Sequence, residues 1–183
     1  MDKMRRPLCV LTELSKAGRR HALRHKFDPL SFWEQPVVWG DLDSFQHVNN
    51  VRYLRFFESG RMRWLHEVAL EVGGEQGARD LLQGKGISLI LKKIDLDFKR
   101  PVTYPDTLLI AHRFMPNPPD PAHLLMHSIA YSNAQERVVT ESNAVCVWYD
   151  YDNLRKARDG PPSRFAAAIE RSLERASNAI EEV

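Results

Sequence analysis

The chain is 183 residues long, 43% hydrophobic and 27% charged, with a formal net charge of +2. That suits one soluble globular domain with a tail, able to bury a continuous core. Apolar runs such as SLIL at 88–91 and AVCVWY at 144–149 are far shorter than the roughly 20 residues of a membrane span, so no transmembrane helix is expected. Two cysteines, Cys9 and Cys146, make neither a disulfide framework nor a metal-ligand pair, and a reducing compartment fits them.

Charge is unevenly spread. Residues 1–26 carry eight Lys/Arg and two Asp/Glu, which puts a head of +6 on a body of −4. Such a head reads as a transit peptide, an ordered or solvated extension, or a nucleic-acid arm. On a helical wheel Val10, Leu11, Leu14 and Ala17 gather opposite Lys16, Arg19, Arg20 and Arg24, as a transit peptide would have it. The expectation is that residues 1–30 are a basic N-terminal extension or transit peptide, addressed to a mitochondrion with the cytoplasm as the alternative. Residues 1–26 are then expected to stay out of the core, and no nucleic-acid partner is expected.

PVVWG at 36–40 reads as a short strand. VRYLRFFESGRMRWLHEVALEV at 51–72 reads as one long helix, because Tyr53, Leu54, Phe57, Trp64, Leu65 and Val68 recur at three-to-four spacing. Gly60 in its middle costs about 1 kcal/mol relative to Ala, so close approach to a flat surface such as a sheet is expected there. From residue 88 the period becomes two, with Ile94, Leu96 and Phe98 alternating with Lys93, Asp95, Asp97 and Lys99. Strand-like runs follow at 107–114, 123–131 and 137–149, separated by NPPDP at 117–121 and SNAQE at 132–136, which is turn chemistry. Strand, long helix and four consecutive strands imply an α+β domain, an antiparallel sheet with a single helix against one face, over residues 31–150. Residues 151–183 read as a polar linker and a C-terminal amphipathic helix traced by Phe165, Ile169, Leu173, Ala176 and Ile180, with Ser163 as its cap.

The stretch GDLDSFQHVNNVRYLRFFESG at 40–60 concentrates the chemistry. Asp41 and Asp43 open like a calcium loop, but position six would be Gln46 where glycine is needed, and position twelve would be Arg52 where a bidentate Glu is needed. A metal on Asp41, Asp43 and His47 would rest on a nonspecific pattern, and no metal or other cofactor is expected. The sequence holds no G-x-S-x-G elbow, G-x-G-x-x-G or P-loop. What remains is a carboxylate just before a helix N-terminus, whose unpaired N–H groups can hold a carbonyl oxygen as it becomes an oxyanion. An aspartate beside it can attack or deprotonate water. That is an acyl-transfer site.

Over residues 36 to about 150 these motifs resemble hotdog-fold thioesterases of the 4-hydroxybenzoyl-CoA thioesterase type. The resemblance implies a single hotdog domain, an antiparallel sheet wrapped around a long central helix, paired into a homodimer or higher homo-oligomer with two sites across the interface. It implies hydrolysis of an acyl-CoA or acyl-ACP thioester, with Asp43 as the catalytic carboxylate and the backbone amide of Asn50 as oxyanion donor. D-x-x-Q-H-V-N-N-V-x-Y also resembles plant acyl-ACP thioesterases, in which the Asp and His act with an Asn between them. Phe45 stands at that Asn position, which favours the simpler scheme with His47 as auxiliary. DFKRPVTYPDTL at 97–108 resembles the family's strand and turn.

The remaining residues divide by chemistry. Asp41 is expected to be a strand-end or loop hydrogen-bonder, and the Asn49 and Asn50 side chains helix caps. Glu58 is expected to be a buried partner for a polar group, although some related enzymes place a catalytic Glu there. Tyr53 and Phe57 are expected as core or acyl-pocket wall, and Lys99 and Arg100 as a solvated pair or contacts for coenzyme A phosphates. Two other functions compete: a noncatalytic hotdog binding or assembly subunit, and a hotdog hydratase or dehydratase.

Overall fold

The computed structural model describes residues 8–179, with side chains from residue 16 onward. Three α-helices, α1 (Leu8–Arg24), α2 (Asn50–Gln83) and α3 (Ser163–Asn178), accompany strands β1 (Trp33–Val37), β2 (Ile87–Phe98), β3 (Asp106–Met115), β4 (His123–Ser132), β5 (Arg137–Asp150) and the two-residue β6 (Arg155–Lys156). The strands form one antiparallel sheet in the order β1-β3-β4-β5-β2, with β6 added to β5. The consecutive hairpins β3–β4 and β4–β5 build its middle, while the two strands flanking α2 in sequence, β1 and β2, end at opposite edges. The fold is the expected α+β hotdog, a curled antiparallel sheet around a long helix.

α2 begins where Asn49 accepts the Val51 amide on its side-chain oxygen at 3.0 Å, satisfying one of the four N–H groups a helix start leaves open. It ends at Gly84, whose φ of 64° is the left-handed cap that glycine adopts without strain. The helix runs eleven residues past the expected end at 72, because the Gly73-Gly74 pair breaks it without stopping it. Gly74 alone is non-helical, with φ 55°, a kink of the kind glycine pairs allow, and beyond it Ala78 and Leu81 still join the buried core.

Alternation along β3 sorts the core. Leu108, Ile110, His112 and Phe114 face α2 in two apolar clusters, one with Tyr53, Phe56 and Phe57, the other with Trp64, Leu65 and Val68. Gly60 is where helix and sheet come closest: a Cβ there would lie 2.9 Å from His112 Nε2 and 3.1 Å from Ile110 Cγ2.

The expectation of a single helix on one face is corrected twice. α3 lies beside α2, burying Phe165, Ala168, Ser172 and Ala176. On the other face Ala22, Phe27 and Phe32 cover Leu109, Ala111, Ile129 and Tyr131. A Cβ at Gly18 would meet the Tyr131 ring at 2.9 Å, so the described part of the basic head packs closely on the sheet, contrary to the expectation that residues 1–26 build no core. Val10, Leu11 and Leu14 of the proposed amphipathic face, like Cys9, lie outside the described side chains, and Ile180 of the expected C-terminal stripe lies outside the described residues. Two smaller corrections concern ends. β1 stops at Val37, and Trp39–Asp41 form a turn of 3₁₀ helix. Pro162, not Ser163, stands at the N-cap of α3.

One buried ion pair fastens α3. The Asp28 carboxylate, 0% exposed, accepts Leu30 N at 3.0 Å, Trp64 Nε1 at 3.0 Å, Ser172 Oγ at 2.5 Å, and Arg175 Nε and Nη2 at 2.8 and 2.9 Å. Burial alone would raise its pKa. The Arg175 guanidinium, with Ser172, Trp64 and Leu30, outweighs burial and holds it below the usual carboxylate range.

Candidate active site

The corner ahead of α2 is a small pinned loop. Leu42 and Val48 form an isolated antiparallel bridge, Asp43 N donates to His47 O at 2.9 Å, and Gln46 N donates to Asp43 O at 3.0 Å. Gln46 takes the left-handed conformation, φ 62°, that closes so tight a turn. Val48 N donates to Val102 O at 2.8 Å, which ties the loop to the β2–β3 connection. Asp43 and His47 are thereby set side by side at the mouth of the turn.

Asp41 and Asp43 differ sharply in environment. Asp41 is buried; its Oδ2 accepts Val38 N at 2.9 Å, its Oδ1 lies 3.4 Å from Arg52 Nε, and its carbonyl accepts Asn49 N at 2.9 Å. It braces the corner. Asp43 is half-buried, and only Oδ1 is engaged, by Phe45 N at 2.9 Å; its second oxygen has no partner among the described residues. Asn50 is the first residue of α2. Since Asn49 caps Val51 instead, the Asn50 amide has no intrahelical acceptor and points out along the positive end of the helix. A free carboxylate oxygen and an open helix-start amide therefore share one corner, beside the half-exposed His47 ring, which has no side-chain partner among the described residues.

The other candidate residues are placed differently. Tyr53 and Phe57 are 2% and 1% exposed, sealed in the core. The Tyr53 ring meets Phe56 and Phe98 edge-on, and burial lifts its phenol to about 12. The nearby Thr140 hydroxyl tempers that rise without closing a full hydrogen bond, since Thr140 Oγ1 is buried with no partner. Lys99 bridges Asp97 at 3.1 Å and Glu141 at 3.3 Å, and these carboxylates raise its pKa. Arg100 donates its backbone amide to Val139 O at 3.1 Å, and its exposed side chain has no partner among the described residues. Glu58 is exposed, 3.9 Å from Arg55, and is not the buried partner expected from its position. No group of three or more His, Cys, Asp or Glu converges to hold a metal among the described residues.

Sequence reasoning missed the rim. Val38, Trp39, Phe45 and Val51 are 52%, 74%, 79% and 65% exposed around the Asp43–Asn50 corner. Periodicity cannot find residues on 3₁₀ and loop backbone, although two aromatics so near a helix cap were a usable signal. Arg61 was missed too. It falls one turn after Phe57 on the apolar stripe, a charged residue on a greasy face, and it is buried.

A profile of the thioesterase-like superfamily matches residues 37–169. The chain belongs to that superfamily. Solved structures agree in fold. PA2801 from Pseudomonas aeruginosa, a putative thioesterase, is 22% identical with a TM-score of 0.62, covering 76% of this chain and 98% of its own. A thioesterase from Thermus thermophilus, complexed with coenzyme A and zinc, is 19% identical, TM-score 0.59, covering 75% and 95%. Slr0204 from Synechocystis, a 1,4-dihydroxy-2-naphthoyl-CoA thioesterase, is 17% identical, TM-score 0.61, covering 75% and 93%. At these identities the likeness is one of fold. No curated protein sequence matches the chain.

Proposed function

We propose that the protein hydrolyses an acyl-CoA thioester to a free acid and coenzyme A, in the manner of the 4-hydroxybenzoyl-CoA type. The observation that carries this reading is the uncommitted Asp43 oxygen beside the open Asn50 amide. Asp43 takes a proton from water while the water oxygen attacks the thioester carbonyl carbon. The carbonyl oxygen becomes an oxyanion that accepts the Asn50 N–H, supported by the helix dipole. Collapse breaks the carbon–sulfur bond, and the thiolate leaves and is protonated. In the alternative route Asp43 itself attacks, and water hydrolyses the resulting anhydride. His47 sits where it can orient Asp43 or the water.

Coenzyme A is favoured over an acyl-carrier protein as carrier because two structures of like fold hold it. The exposed apolar rim and the open edge of β2, where Ile90, Leu91 and Phe98 are 43%, 44% and 45% exposed, support pairing into a homodimer that covers both. A mitochondrial address in the basic head, with a cytoplasmic location as the alternative, belongs to the same proposal and rests on composition. A thiol-release screen of purified protein across acyl-CoAs of differing acid groups tests the activity, and release from none of them refutes it. Light scattering tests the assembly, and a mass near the 21.1 kDa of one chain would exclude it.

A further inference from the structure

Among the described residues, Arg61 is a buried charge without a counterion. It lies on the sheet-facing side of α2 with 9% of its surface exposed, yet it has no hydrogen bond and no ion pair among the described residues. Other part-buried arginines are partnered: Arg175 by Asp28 and Glu71, Arg113 by the His25 carbonyl. A guanidinium taken out of water without an anion is among the costliest groups a fold can hold. The groups that feel its charge offer no counterion. Burial, then Arg61, drives His112 down to about 3, and burial lifts the Cys146 thiol to about 11 against the pull of Arg61.

Beneath Arg61 the sheet is polar where its neighbours are apolar. His112, Ser128 and Ser142 form one register row across β3, β4 and β5, ending at Leu96 on the edge strand β2. Thr140 stands one row away, opposite Ala130. All four polar residues are buried, and His112 Nε2 and Thr140 Oγ1 have no hydrogen-bond partner among the described residues. The Arg61 nitrogens are not among the sealed, unpartnered atoms of the interior, so something from outside can reach them. Along α2, Asn50 and Arg61 are separated by about three turns, about 16 Å, on nearly the same azimuth. The Arg61 charge is felt at His112 on β3 and at Cys146 on β5, so the guanidinium lies between α2 and the middle of the sheet.

We propose that Arg61 receives a second negative charge on the acyl group, so that the preferred substrates are acyl thioesters with a carboxylate remote from the thioester. This rests on the thioesterase reading and adds a substrate class to it. The planar guanidinium binds a carboxylate through two parallel hydrogen bonds, and the anion it receives removes the unpaired charge from the interior.

The test pairs suberyl-CoA with octanoyl-CoA, equal in chain length and differing in the terminal carboxylate, and the free acids suberate and octanoate as ligands that need no turnover. In the full-length protein suberate should raise the melting temperature more than octanoate at equal concentration, and Arg61→Met should abolish the difference. The ratio of kcat/KM for suberyl-CoA to octanoyl-CoA should exceed about tenfold and fall by at least that factor in Arg61→Met. Arg61→Lys, which keeps the charge and is the gentler change for folding, should retain part of the ratio. A suberate response that depends on Arg61 in a protein that opens no thioester would sink the hydrolase and leave the anion site standing. Equal responses to the two acids and a ratio near one in the unaltered protein overturn the proposal. So does a ratio unmoved by Arg61→Met with loss of the oligomer, which would mean that a second subunit supplies the anion.

Discussion

Replacing Arg175 by Met removes the cation from Asp28 while keeping most of the side-chain volume on α3. The Asp28 carboxylate would remain 0% exposed with three donors, Leu30 N, Trp64 Nε1 and Ser172 Oγ, and no opposite charge. Breaking a buried pair costs about 3–5 kcal/mol. The lower end applies, because the Arg175 side chain keeps 26% of its surface in water. For a chain of this size about 3 kcal/mol lowers the melting temperature by about 6–12 °C. The pH dependence identifies the cause. In the unaltered protein the folded pKa of Asp28 is depressed, so its contribution is full above the unfolded carboxylate value, near 4, and is lost as pH falls through the folded value. In Arg175→Met the cation that opposes the effect of burial is gone, and protonation relieves the buried charge. The melting-temperature gap between the two proteins should therefore be widest near pH 7 and narrow below about pH 4. Scanning calorimetry across pH measures it. A gap of less than about 1 kcal/mol at pH 7, or one that does not narrow in acid, would refute the ion-pair account of how α3 is held.

Gly60→Ala should destabilise by about 1–3 kcal/mol despite a helix-propensity gain of about 1 kcal/mol. The new methyl meets His112, whose ring cannot yield because it bonds Ser128 at 2.7 Å and stacks on Trp64; denaturant unfolding checks it. A chain beginning at Phe27 loses the Ala22 and Gly18 packing on Tyr131 and should melt several degrees lower, whereas an unchanged melting temperature would restore the head to a pure addressing role. Asp41→Asn should cost stability through Val38 N and Arg52 more than turnover, read by calorimetry beside a thiol-release assay.

The period-two runs and the 51–72 stripe made the sheet and its central helix legible, because one-sided burial imposes those periods on sequence. Gly60 was legible for the same reason. α3 was legible as an amphipathic stripe, but its docking was not, since the Asp28–Arg175 pair joins residues far apart in the chain. α1 showed its charge and hid its small residues: Gly18 and Ala22 pack closely yet carry little apolar signal. The Asp43–Asn50 corner was readable because a helix start and its preceding carboxylate are adjacent in sequence. Glu58 was misjudged because its helical position did not reveal that its side chain faces water.

The central claim is tested most directly by thiol release from the acyl-CoA the protein hydrolyses best, comparing the unaltered protein with Asp43→Asn. The substitution keeps the size of the side chain and its acceptor for Phe45 N, and removes the charge that base or nucleophile requires. With the melting temperature preserved, kcat should fall by at least about two orders of magnitude. Turnover by Asp43→Asn within about threefold of the unaltered protein would contradict the account, since a general base or nucleophile contributes far more than that.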